Sequence, residues 1–97
     1  MAKEIRWSPR AIVDQFEILS YWEERNKSNT YSIKLYHLFA ANIEMVAQTP
    51  EIGTSTKYLN VRFKILGAYN IYYRILIHHI EVITIWDSRR NPKKFKL

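Results

Sequence analysis

The 97-residue chain carries a formal net charge of +6, is 47% hydrophobic and contains no cysteine. Without cysteine it has no disulfide framework, thiolate metal site or thiol nucleophile, and three Trp, seven Tyr and four Phe against two Gly exclude an intrinsically disordered chain. The expectation is one domain, residues 1–97, that is cytoplasmic and stays out of membranes: no signal-peptide pattern opens it, and its longest apolar stretch, Tyr69 to Trp86, is broken by Arg74, His78, His79 and Glu81.

Lys3 to Trp7 alternates and predicts a short strand. Ser8-Pro9 then supplies a cap and a first helical residue, and Ile12, Val13, Phe16 and Leu19, with Trp22 at the edge, predict the buried stripe of a first helix. Asn26 to Asn29 is a turn, with Thr30 as cap of a second helix whose stripe is Leu35, Leu38, Phe39, Asn42, Met45 and Val46. That helix ends before Thr49-Pro50, and Gly53 follows in a loop. Two helices joined by so short a turn lie antiparallel.

From Asn60 the period becomes two. Val61, Phe63 and Ile65 alternate with Arg62 and Lys64, predicting a half-buried strand with two cations on its other face. Gly67-Ala68 turns the chain into Tyr69 to Ile77, where Ile71, Tyr73, Ile75 and Ile77 face one way and Asn70, Tyr72, Arg74 and Leu76 the other. His78-His79 marks a tight turn, and Ile80 to Asp87, apolar on both faces, predicts a central strand. The expected fold is two-layer α+β: an N-terminal strand, an antiparallel helical hairpin, then a three-stranded antiparallel meander.

The charge is unevenly placed. Residues 1–54 hold six Lys/Arg and seven Asp/Glu, whereas residues 55–97 hold nine Lys/Arg and two Asp/Glu. A clustered positive field attracts polyanions or acidic partners. Arg62 and Arg74 stand on adjacent predicted strands, where pairing allows them one face. Arg89 and Arg90 follow the last strand, Lys57 precedes the meander, Lys64 lies on its first strand, and Lys93 and Lys94 lie in the tail. Arginine suits phosphate because its planar fork donates two parallel hydrogen bonds; a solvated basic face is the plainer reading of the same residues. His78 or His79 would be the general base of such a site. With His37 they show no metal-ligand spacing, so neither metal nor cofactor is expected.

The order β-α-α-β-β-β, the hairpin closed by TPEIG, the segment VRFKILGAYNIYYRI and the ending ITIWDSRRNP together resemble the RelE/ParE superfamily, across nearly the whole chain. The resemblance implies the toxin of a bacterial type II toxin–antitoxin module, of the kind linked to growth arrest and plasmid stabilization, with a cognate antitoxin as partner. It leaves two targets open. RelE-like members are ribonucleases that cleave messenger RNA on the ribosome by 2′-hydroxyl attack, with arginines and lysines stabilising the anionic transition state. ParE-like members lack that chemistry and poison DNA gyrase.

Carried over by position, Arg62, Arg74, and Arg89 or Arg90 are the candidate phosphate contacts, with His79 as a candidate base and Lys57, Lys64, Lys93 and Lys94 as nucleic-acid contacts. Asp87 stands where many relatives have histidine, and Phe95 where some ribonucleases have tyrosine. These departures favour the gyrase reading over an enzyme, with a non-toxic basic RNA-binding module as a third reading.

Overall fold

Ser8 fixes the point where strand becomes helix. In the computed structural model, which describes residues 2–97, strand β1 spans Glu4–Trp7 and helix α1 spans Pro9–Asn26. The Ser8 hydroxyl accepts from the Ala11 N–H at 3.0 Å and donates to the Ile83 carbonyl at 2.7 Å. The cap therefore also pins the helix start to the sheet. Lys27, in the left-handed region at φ 52°, ends the helix. Helix α2 spans Thr30–Gln48, with Asn29 rather than Thr30 at the N-cap position and no side-chain capping bond there, a one-residue shift ordinary at helix ends.

A 3₁₀ turn, Pro50–Ile52, leads into β2 (Thr54–Ser55), β3 (Val61–Leu66), β4 (Tyr69–Ile75) and β5 (His79–Asp87). The strand order is β1-β5-β4-β3-β2. β1 runs parallel to β5, and every other neighbouring pair is antiparallel. The expected meander is present, β2 extends it, and β5 lies between β1 and β4, as its two apolar faces predict. The fold is α+β in two layers, with the helical hairpin over one face of a mixed sheet. Among the described residues no helix is long and apolar enough to cross a membrane.

The core joins Leu35, Phe39, Ile43 and Val46 of α2 to Tyr69, Ile71, Tyr73, Ile80, Val82 and Ile85 of the sheet. On α2 the expected stripe holds for Leu35, Phe39 and Val46, but Leu38 and Met45 are exposed. On α1 the expectation fails more widely. Ile12, Val13 and Phe16 are 57%, 52% and 71% exposed, and the buried face is Ala11 with Ile18, Leu19 and Trp22 packed behind it. Ala11, fully buried, leaves room for the helix to approach the sheet closely. α1 is apolar on two sides, so periodicity alone did not select the inward one.

The phase of β3 is also inverted. Arg62 is opposite Tyr73 and Lys64 opposite Ile71, so both cations share the face of the buried β4 residues. Val61, Phe63 and Ile65 share the other face with Arg74, Tyr72 and Asn70. That helix-free face has its own cover. Phe95 from the tail lies 4.7 Å from Tyr72 and 5.0 Å from Trp86 between ring centroids, and Tyr72 lies 5.2 Å from Phe63.

The turns differ from expectation at one end of the sheet. Gly67, at φ 58°, takes the first central position of the two-residue β3–β4 turn, which a side chain would strain. The next turn closes by Leu76 N–H donating to His79 O at 2.9 Å. Leu76 and Ile77 thus leave β4 for the loop, and His79 becomes the first residue of β5.

Candidate functional site

The positions of the nine candidate residues follow from strand direction. Tyr69 faces Leu66 on one side and Asp87 on the other, so Arg89 and Arg90 lie at the end of the sheet where β3 finishes. Arg62, opposite Tyr73, and Arg74 lie at the other end, about 13 and 16 Å along β4 from Tyr69 on the usual rise per residue. Within that far end they are separated again: Arg62 pairs with Tyr73 and Arg74 with Val61, so their side chains leave opposite faces of the sheet. The single face allowed to them by the sequence is not formed. His79 and Asp87 bound the two ends of β5, about 26 Å apart on the same rise per residue. The candidate base therefore stands remote from Arg89 and Arg90.

Each arginine has a partner within the chain. Arg89 grips Asp87 bidentately, Nε to Oδ1 at 2.9 Å and Nη2 to Oδ2 at 2.7 Å. This grip holds the Asp87 carboxyl below the ordinary carboxylate range and raises the Arg89 guanidinium pKa. Arg90 stacks over the Trp86 ring at 4.7 Å. Arg74 lies 3.9 Å from Glu81, both partly exposed. Arg62 donates from Nη1 to the Gly53 carbonyl at 2.8 Å and more weakly to Glu51 O at 3.4 Å. Lys57 lies 5.4 Å from the Tyr58 ring centroid. Lys93 and Lys94 form the exposed 3₁₀ turn Pro92–Lys94, where Asn91 Oδ1 accepts from Lys93 N–H at 3.0 Å. Lys64 stays half-buried on β3.

Two clefts mark the two ends. The first, about 410 Å³, is lined by Asp14, Glu17, Tyr21, Tyr69, Asp87, Arg89 and Arg90 among others. Its three carboxylates outnumber its two guanidiniums, so it offers a phosphate little attraction. Asp14 was not foreseen. Its Oδ2 accepts from Thr84 Oγ1 and from Ile85 N–H at 3.3 Å. β1 pairs with β5 only as far as Val82, so this carboxylate satisfies strand groups beyond the end of β1. Tyr69, whose hydroxyl accepts from Trp22 Nε1 at 2.8 Å, has its pKa raised by burial.

The second cleft, about 490 Å³, lies at the far end and is lined by Glu51, Lys57, Tyr58, Leu59, Arg62 and Ile75 among others. It is anchored from below by Tyr73, whose hydroxyl donates to Pro50 O at 2.5 Å and accepts from Gly53 N–H at 3.0 Å. Burial raises the Tyr73 pKa. Leu59 and Ile77, in the loops beside this cleft, are 83% and 84% exposed. Ile77, expected on the apolar face of β4 with Ile71, Tyr73 and Ile75, stands instead in the loop beyond Ile75; Leu59 carried no expectation from the sequence.

A helical hairpin over a sheet that contains the N-terminal strand and the antiparallel meander is the α+β architecture implied by the toxin resemblance, with β2 as one strand more. Residues 5–92 match the family described as the ParE toxin of type II toxin-antitoxin system, parDE, and the chain belongs to that family. The fold is also found in a solved structure of the chromosomal ParDE TA system from P. aeruginosa. That match has a TM-score of 0.72 at 15% identity and covers 87% of this chain and 94% of the other; at such identity the likeness concerns the fold. Among curated proteins none matches.

Proposed function

We propose that this ParE-family toxin arrests growth by engaging DNA gyrase without cleaving RNA, and that a cognate antitoxin neutralises it. The observation that carries the reading is the division of its arginines. A ribonuclease of the RelE kind needs several cations and a proton-transferring group around one phosphate. Here Arg62 and Arg74 leave opposite faces of the sheet, and Arg89 is held by Asp87 at the other end. Phe95, where a tyrosine hydroxyl would serve, packs between Tyr72 and Trp86. Protein binding requires no such convergence.

For the antitoxin, the reading is supported by the solvent face of α1. Ile12, Val13 and Phe16 form an exposed apolar strip, and such strips favour an amphipathic partner segment. Acidic residues on that segment would meet the basic tail, so affinity falls as salt rises.

The test is a supercoiling reaction with purified gyrase, plasmid DNA and the purified chain, beside a ribosome-programmed messenger RNA. The expected result is inhibited supercoiling with stabilised DNA breaks and intact RNA. Cleaved RNA with unimpaired supercoiling would reverse the assignment.

A further inference from the structure

At the far end of the sheet, two loops display the most exposed large apolar side chains of the described residues, Ile77 and Leu59, at 84% and 83%. The loops are neighbours, because Ile75 N–H donates to Asn60 O at 2.8 Å across the base of both. A single exposed apolar residue is ordinary. Two on adjacent loops, held by the bonds that follow, are less so.

In the first loop, Thr56 Oγ1 donates to Val61 O at 2.8 Å and accepts from Tyr58 N–H at 3.1 Å. Val61 N–H donates to Tyr58 O at 3.2 Å, and Asn60 adopts φ 60° to complete the turn. In the second, Lys3 Nζ reaches across from the N-terminal segment and donates to the carbonyls of Leu76 and Ile77 at 2.9 and 2.7 Å. The fold thus fixes the backbone that presents Leu59 and Ile77, which lowers the ordering cost of an association.

The surrounding charge identifies the occupant. Lys57 and Arg62 line the adjoining cleft with a single carboxylate, Glu51. Neither cation lies within 4.0 Å of a carboxylate oxygen among the described residues. The one aromatic plane of this cleft, Tyr58, already has Lys57 Nζ 5.4 Å from its ring centroid, and the two protruding anchors, Leu59 and Ile77, offer none on which a base could stack. The chemistry fits a protein surface with acidic residues beside an apolar pocket.

We infer that this loop tip, with Leu59 and Ile77 as anchors and Lys57 and Arg62 as its basic rim, is the surface that grips the protein target of the toxin. The inference rests on the gyrase reading and assigns the contact to a part of the chain distant from the α1 strip.

The experiment measures binding of purified DNA gyrase to the immobilised full chain. Four proteins are compared: wild type, Leu59→Ser/Ile77→Ser, Lys57→Glu, and Lys34→Ala on the outer side of α2. The loop double variant is expected to weaken binding at least about tenfold, the effect of losing a well-packed anchor. Lys57→Glu should weaken it by a smaller factor and flatten its salt dependence, and Lys34→Ala should bind as wild type. Melting temperatures should stay at the wild-type value, because the substituted side chains are solvent-exposed. Wild-type affinity in the loop double variant would overturn the inference and leave the gyrase reading standing. No binding by the wild type would overturn both. Equal losses in the loop and Lys34 variants would assign binding to general charge or fold, against the loop tip.

Discussion

The two ends of the sheet both carry cations but dispose of them differently. Where β5 finishes, Arg89 is chelated by Asp87, Arg90 rests on Trp86, and Phe95 folds back over Tyr72. Arg89 and Arg90 there hold the chain close to the end of β5, while Lys93 and Lys94 stand exposed on the 3₁₀ turn. At the far end, Lys57 and Arg62 have no carboxylate within ion-pair distance among the described residues, and Leu59 and Ile77 stand in solvent. A residue count ranks the tail as the more basic region. The far end differs in setting Lys57 and Arg62 beside exposed apolar side chains, whereas a neutralised cation such as Arg89 contributes little to a partner.

The largest expected effect tests the anchor beneath the far end. Gly53 needs no unusual backbone, its φ being −77°; it needs space. A Cβ there would fall 2.5 Å from Tyr73 Oη and 2.7 Å from the Phe63 carbonyl. Gly53→Ala should therefore destabilise by about 1–3 kcal/mol, the usual overpacking penalty, read as a lower urea midpoint at unchanged slope. It should also weaken target binding, because Arg62 is held by the Gly53 carbonyl.

At the tail end, Phe95→Ala removes two aromatic contacts and should cost about 1 kcal/mol in the same titration. A wild-type midpoint would mean that the tail does not cover the open face in solution. Phe16→Ser, 71% exposed in the wild type, should leave stability within about 0.5 kcal/mol. It should nonetheless weaken antitoxin capture, measured with the purified pair; unchanged capture would remove α1 from that interface.

The smallest effect concerns acid. Asp87 has its pKa lowered, first of all by the hydrogen bonds from the Arg89 side chain. A depressed carboxyl contributes stability above its unfolded pKa, about 3.9, and loses it as pH falls through the folded value. Asp87→Asn should thus be less stable than wild type near neutrality, with the difference shrinking below about pH 4. Urea midpoints collected from pH 2 to 7 check this, and a difference independent of pH would assign Asp87 a role other than pairing.

Much of the fold was legible because its signals were one-sided. β5 is apolar on both faces and could only be central; Leu35, Phe39 and Val46 lie at helical spacing and are all buried. The alternation of Val61 to Ile65 was legible too, but alternation fixes a period and leaves open which face turns inward. That choice depended on the register with β4 and on Phe95, which returns from the tail to cover the outer side. For the candidate site, Asp87 and Phe95 stood out in the sequence as departures, and their contacts give both a structural use. The parting of Arg62 from Arg74 was not legible, since one residue of register decides it. Leu59 drew no notice because a loop residue has no periodicity against which to stand out, and Ile77 was placed on β4 because the alternation runs on past the strand's end at Ile75.

The most direct measurement is induction of the chain in a bacterial host while growth, total messenger RNA and chromosomal DNA breaks are followed together. The account predicts arrest with accumulating gyrase-dependent breaks and stable messenger RNA, the same in wild type and in Arg89→Ala. Rapid loss of messenger RNA, abolished by Arg89→Ala and unaccompanied by breaks, would contradict it.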